Sequence, residues 1–213
     1  MIKTFEPNIK GNDYVVGDIH GCFDLLKEKL SEISFNSDAD RLFAVGDLVD
    51  RGNNSAECVK WLNKSWFHSV LGNHEQMAID YVNGQLDEYN YYRNGGAWLI
   101  KSIDDEKRCF AELFKQLPIA IEIETDDGLV GLIHADCPVH DWNLLKDNLE
   151  KHKEYCLWSR ETMRNGRDTP IANISRIYHG HTANDEMSVE RICNQIFIDT
   201  GAVFGGDLTI LKI

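Results

Sequence analysis

Short apolar runs that stop abruptly at polar, glycine-containing loops set the rhythm of the first third of the chain. Tyr14-Val15-Val16 runs into Gly17-Asp18-Ile19-His20-Gly21, after which Phe23, Leu26, Leu30 and Ile33 recur at helical spacing across Cys22–Ile33. Arg41-Leu42-Phe43-Ala44-Val45 runs into Gly46-Asp47-Leu48-Val49-Asp50-Arg51-Gly52, with a helix predicted from about Asn53 to Leu62. Trp66–Leu71 runs into Gly72-Asn73-His74-Glu75, followed by a helix through Met77 to Tyr81. These strand–polar loop–helix units predict a layered α/β fold with its polar loops gathered along one edge. Asp18 and His20 lie two apart, a spacing that in extended backbone puts both side chains on one face.

Beyond residue 82 the pattern changes. Residues 83–116, with Tyr89, Tyr91, Tyr92, Asn94-Gly95-Gly96 and Trp98, lead into helical patterns at Leu99–Ile103 and Phe110–Leu117, which reads as a helical insertion beside the pocket. Its aromatic cluster reads as core packing ahead of peptide binding. Ile119–Glu124 and Leu129–His134, separated by Asp126-Asp127-Gly128, predict a hairpin, whose two-residue form would need Asp127-Gly128 alone in the turn. Asn143–Arg164 predicts helix carrying Trp158-Ser159-Arg160, and Ile174–Tyr178 a strand ending in His179-Gly180-His181-Thr182. Met187–Ile192, Gln195–Ile198 and Leu208–Leu211 predict a closing antiparallel set. No repeat or linker interrupts residues 1–213, so a single domain is expected.

Composition narrows the class. A chain of 213 residues suits one well-buried core. The net charge of −13, with no Lys/Arg-rich block, argues against a nucleic-acid partner. No apolar run reaches the roughly 20 residues of a membrane span. Met1–Asn12 lacks the layout of a signal peptide, so a cytoplasmic protein with reduced thiols is expected. Its six cysteines are scattered, with no Cys-x-x-Cys pair.

The polar loops carry the chemistry. Asp18/His20, Asp47/Asp50/Arg51, Asn73/His74, His134 and His179/His181 each follow a predicted strand. Imidazole, carboxylate and amide donors without thiolate fit Mn, Fe, Zn or Ni better than an all-oxygen Mg or Ca site. The donors exceed one ion's needs, whereas two ions sharing a carboxylate about 3.5–4 Å apart would use them. Asp50 and Arg51 add a carboxylate and a guanidinium fork suited to a phosphate.

Gly17-Asp18-Ile19-His20-Gly21, Gly46–Gly52 and Gly72–Glu75 resemble the sequential motifs of the metallophosphoesterase superfamily, and more narrowly its phosphoprotein phosphatase branch. His134 in Ile133-His134-Ala135 and His181 in Gly180-His181-Thr182 resemble its later histidine motifs. The small size, Asn94-Gly95-Gly96 and Ile198–Phe204 resemble the bacterial and bacteriophage lambda-type phosphatases. The resemblance runs from about Tyr14 to Leu211. It implies an α/β/β/α sandwich with mixed sheets and two divalent ions, manganese first. Asp18 and His20 would bind one ion, Asp47 would bridge, and Asn73, His134 and His181 would complete the second. It implies that Arg51 and Arg160 hold phosphate and that His74, paired with Asp50, is the acid. Asp136 and Asp199 are candidates to orient the histidines, and His179 is expected to be structural.

The implied reaction is hydrolysis of phosphoserine or phosphothreonine, with phosphotyrosine open, by in-line attack of a metal-bridging hydroxide and no phosphoenzyme. Two alternatives stand beside it. A dinucleoside-polyphosphate hydrolase shares the early motifs, but that branch lacks an acid at the position of Asp50 and has Pro where Asn53 stands. A non-catalytic metal-binding module would need neither an acid nor a phosphate clamp. A Cys137 nucleophile lacks the Gly-rich, Arg-ending loop such chemistry uses.

Overall fold

The computed structural model describes residues 1–213. In chain order the elements are β1 (Ile2–Phe5), β2 (Asp13–Val16), α1 (Phe23–Glu32), β3 (Arg41–Ala44), α2 (Cys58–Leu62), β4 (Phe67–Ser69), α3 (Asn73–Val82), α4 (Glu88–Arg93), α5 (Ala97–Ile100), α6 (Asp104–Lys115), β5 (Ala120–Thr125) and β6 (Gly128–Ile133). Then come α7 (Trp142–Asn148), α8 (Lys153–Trp158), α9 (Glu161–Asn165), β7 (Arg176–His179), β8 (Glu190–Ile192), β9 (Gln195–Phe197) and β10 (Ile210–Lys212). The strands form a four-stranded sheet in the order β10-β2-β3-β4 and a six-stranded sheet in the order β1-β5-β6-β7-β9-β8. Both are mixed: β2, β3 and β4 run parallel while β10 is antiparallel to β2.

Strand alternation explains why the sheets stack. Val15, Phe43, Ile121, Ile123, Val130 and Leu132 point inward and form the apolar layer between the sheets. Their neighbours Val16, Leu42 and Ala44 face the opposite way, against Leu26 of α1, Trp61 of α2, Met77 of α3 and Phe114 of α6. Ala120 and Ile133 of the larger sheet pack against Trp142 and Leu145 of α7 and Cys156 of α8. The result is an α/β/β/α sandwich, the architecture expected above. No helix is long and apolar enough to cross a membrane.

Several local expectations need correction. β1 has no counterpart in the sequence reading, because its partner is β5, with Ile2 opposite Ala120. The β5–β6 turn is Asp126-Asp127: Thr125 pairs with Gly128, whose φ of 107° a side chain would not tolerate. Asn143–Arg164 is broken into α7, a 3₁₀ turn, α8 and α9, with Ser159 extended at ψ 143°. The closing strands divide between the sheets, since β8 and β9 join the larger one and β10 the smaller. Asn73, His74 and Glu75 form the first turn of α3, not a loop before it.

Candidate metal centre

The parallel run of β2, β3 and β4 carries Gly17–Gly21, Gly46–Gly52 and the N-terminus of α3 to one edge, and β6 and β7 bring His134 and His181 to meet them. The chain must turn sharply after each strand. His20 (φ 43°), Asp47 (50°), Asp50 (69°), Arg51 (68°) and His181 (70°) all lie in the left-handed region, which non-glycine residues rarely occupy. His20 is therefore not in extended backbone, and the alternation argument for Asp18 and His20 does not apply. Asp18 instead accepts the His181 amide at 3.0 Å, while His20 turns toward Asp47.

Asp47 is the centre of the cluster. Ligand atoms of His20, Asp47 and His74, and separately of Asp47, His134 and His181, lie within 4.8 Å of one another. His20 Nε2 is 3.5 Å and His134 Nε2 3.3 Å from the Asp47 carboxylate. Asn73 Oδ1 lies 2.9 Å from His134 Nε2 and 2.8 Å from His181 Nδ1. Asp18, Asp47, Asn73 and His134 are buried. Sequence positions 18 to 181 thus converge on one site.

Each of the three imidazoles has its outer nitrogen against a backbone carbonyl. His20 Nδ1 lies 2.7 Å from the Val49 carbonyl, His134 Nδ1 2.7 Å from that of Val45, and His181 Nε2 3.2 Å from that of Trp158. A carbonyl accepts only, so in a neutral ring the outer nitrogen carries the proton and the inner one has a lone pair. At His20 the Arg51 guanidinium donates to that lone pair, whereas the inner nitrogens of His134 and His181 face Asn73 Oδ1, itself an acceptor. Burial pushes the pKa values of both His20 and His181 down to about 3, which favours their neutral rings. Burial also acts to lower that of His134, but Asp47 outweighs it and the net shift is upward. Burial, Asp199 and Asp47 together hold the Asp18 carboxyl well above the usual carboxylate range. A buried set of lone pairs and mutually repelling carboxylates is a donor set that cations would satisfy.

His74 is built differently. Its Nδ1 faces the Asp50 carboxylate at 2.7 Å, where the other three histidines meet carbonyls. Asp50 is fully buried and held by Tyr91 Oη at 3.0 Å and Trp98 Nε1 at 2.6 Å. Tyr91 lies in the core and Trp98 packs against it, as expected from sequence, and both also orient a carboxylate. Tyr89 and Tyr92 remain exposed. Arg51 contacts His20 Nε2 and lies 5.4 Å from the Phe204 ring centroid. Arg160 is exposed, and its Nε donates to Thr182 Oγ1 at 3.3 Å, next to His181.

Residues 14–200 match the family model described as calcineurin-like phosphoesterase. The chain is a calcineurin-like metallophosphoesterase. It is 37% identical over 206 residues to the serine/threonine-protein phosphatase 2 of Salmonella typhimurium, covering 94% of this chain and 92% of that one. At lower identity, 29% over 223 residues, it is similar to the asymmetrical bis(5'-nucleosyl)-tetraphosphatase PrpE of Halalkalibacterium halodurans, covering 93% and 88%. A solved structure named "putative diadenosine tetraphosphatase" superposes with a TM-score of 0.70 at 27% identity, covering 100% of this chain and 96% of that one.

One residue of this metallophosphoesterase site went unassigned from sequence. Glu75, fully buried, takes the amides of Leu48 (2.8 Å) and Val49 (3.3 Å) on Oε1, and those of Asp47 (2.9 Å) and Gly72 (2.9 Å) on Oε2. Burial first and Asp47 second push its carboxyl up to about 7, against the pull of those donors. Its place at the third position of α3, where a Glu can accept the amide of the N-cap residue Gly72, was the available signal. Asp136 and Asp199 make no hydrogen bond to a cage histidine: Asp136 binds Cys137, Ser159 and Thr162, and Asp199 binds the Gly201 amide. Carbonyls do the orienting instead. His179 is fully buried and stacked on Phe197 at 4.8 Å. Cys137 is buried, which pushes its thiol up to about 11 and removes it as a nucleophile.

Proposed function

We propose that this metallophosphoesterase is a phosphoprotein phosphatase acting on phosphoserine and phosphothreonine monoesters. The observation that carries the reading is the His74–Asp50 pair at 2.7 Å beside Asp47. A serine or threonine alkoxide is a poor leaving group, so a proton must reach it as the P–O bond breaks. His74 Nε2 is the atom that would deliver the proton, with Asp50 holding the ring and stabilising its charged form. Asp18, His20 and Asp47 would hold one divalent ion, and Asp47, Asn73, His134 and His181 the other. When bound, the two ions, manganese first among Mn, Fe, Zn and Ni, supply charge to the phosphoryl oxygens and acidify a water toward a pKa of about 7. Arg51 and Arg160 would grip the phosphate oxygens, supplying positive charge that the net −13 does not suggest. The expected partners are phosphoproteins or phosphopeptides.

The test compares His74→Asn with the parent enzyme on a phosphoserine peptide and on p-nitrophenyl phosphate. Turnover of the alkyl ester should fall by about 10²–10⁴-fold and that of the aryl ester by much less, since nitrophenolate leaves unaided. Equal losses would remove His74 as the acid. The similarity to tetraphosphatases favours dinucleoside-polyphosphate hydrolysis as a second reading. Faster turnover of diadenosine tetraphosphate than of the phosphopeptide would put that reading first.

A further inference from the structure

Arg160 is an exposed residue at a break between two short helices, and its guanidinium makes one hydrogen bond, to Thr182. A side chain so placed loses conformational entropy when it grips an anion, and the loss is smaller where its backbone is already fixed. The fixing comes from a distant carboxylate. Asp136, fully buried, accepts the Thr162 amide at 2.9 Å and Ser159 Oγ at 3.2 Å on Oδ2. Its Oδ1 accepts Thr162 Oγ1 at 2.8 Å and the Cys137 amide at 2.8 Å. Ser159 Oγ in turn accepts the Glu161 amide at 3.1 Å. Arg160 sits at the N-cap of α9 without making a capping bond, so Asp136 and Ser159 satisfy the first amides of α9 in its place.

Two residues before Asp136 is His134, whose Nε2 faces the cage. The loop between them is tied down by the Ala135 amide donating to Cys156 O at 2.7 Å. We propose that Asp136 is a positioning residue for phosphate binding: it couples the His134 loop to the Ser159–Thr162 turn and so sets where Arg160 meets the substrate. The proposal rests on the reading of Arg160 as a phosphate clamp.

Inorganic phosphate is the probe, as a competitive inhibitor of p-nitrophenyl phosphate hydrolysis by the manganese-loaded enzyme. Asp136→Asn keeps the shape but puts an amide N–H₂ where one oxygen accepted. It should raise both the phosphate inhibition constant and KM about tenfold, with bound manganese unchanged and kcat within about threefold. Arg160→Ala should weaken phosphate at least as much, and the double variant no more than Arg160→Ala alone, because residues acting through one another are not additive. An unchanged inhibition constant in Asp136→Asn, or losses that multiply in full in the double variant, would overturn the proposal. An unchanged constant in Arg160→Ala would instead overturn the clamp reading, and this proposal with it. Should Asp136→Asn fail to fold, Ser159→Ala and Thr162→Val remove single donors from the same carboxylate. Each should weaken phosphate in the parent and add nothing to Arg160→Ala; full additivity there also sinks the proposal.

Discussion

Glu75 offers no atom to the cage, yet Asp47 owes its direction to it. With φ at 50°, Asp47 sits where a non-glycine residue is disfavoured, and the Glu75 carboxylate holds its amide and the next two. Glu75→Gln replaces one accepting oxygen with a donor that faces backbone N–H groups. Manganese affinity measured by calorimetry should fall by about 10–100-fold, with activity following the metal. Parent-like affinity would show that the loop holds itself. The metal-type side chains were legible in the sequence because their residue types at strand ends are few and chemically distinctive. The supports were not. Glu75, Tyr91 and Trp98 reach their partners across separations of 27, 41 and 48 residues, and nothing local marks a tyrosine as the donor to a buried carboxylate.

At the level of elements, periodicity located most helices and strands, and tertiary contacts decided the rest. β1 is a half-exposed edge strand whose pairing with β5 leaves no trace in its own four residues. The helical insertion also does more than flank the pocket. Gly95, at φ 100°, accepts the Arg51 amide on its carbonyl at 3.2 Å, and a β-carbon there would collide with the Arg51 backbone. Gly95→Ala should therefore move Arg51 as well as strain the α4–α5 turn. A rise of about tenfold or more in KM for p-nitrophenyl phosphate is expected, together with about 1–3 kcal/mol lost from urea unfolding. A stability loss with KM intact would show that Arg51 is positioned by something else.

Across the whole molecule, the layered α/β fold was legible because strand–polar loop–helix units repeat, and its stacking as a sandwich was what the family resemblance implied, whereas the division of the closing strands between sheets depends on contacts far apart in sequence. The layers also set a pH limit. His68 in β4 lies between the Phe5 and Phe43 rings, at 4.5 and 5.2 Å, and burial, with Lys3 and Arg41 nearby, brings its pKa down from 6.5 to about 4. Below pH 6.5 the unfolded chain binds this proton and the folded protein resists it. The stability associated with neutral His68 is therefore complete above pH 6.5 and is lost as pH falls through about 4. His68→Gln should flatten the fall in urea midpoint between those values; a slope identical to the parent's would count against the assignment.

The pairing of β10 with β2 sets Ile210 opposite Val16, and the Gly17 amide donates to Thr209 O at 3.1 Å, directly before the Asp18 loop. A chain emerging from the ribosome thus makes its earliest ligand loop almost two hundred residues before the strand that flanks it. The His181 amide that Asp18 accepts also arrives late. Closure over such separations is slow compared with local helix formation. The loop that carries Asp18 therefore lacks its flanking strand until Ile210 has been made, and a chain halted before that point would hold the loop from one side only.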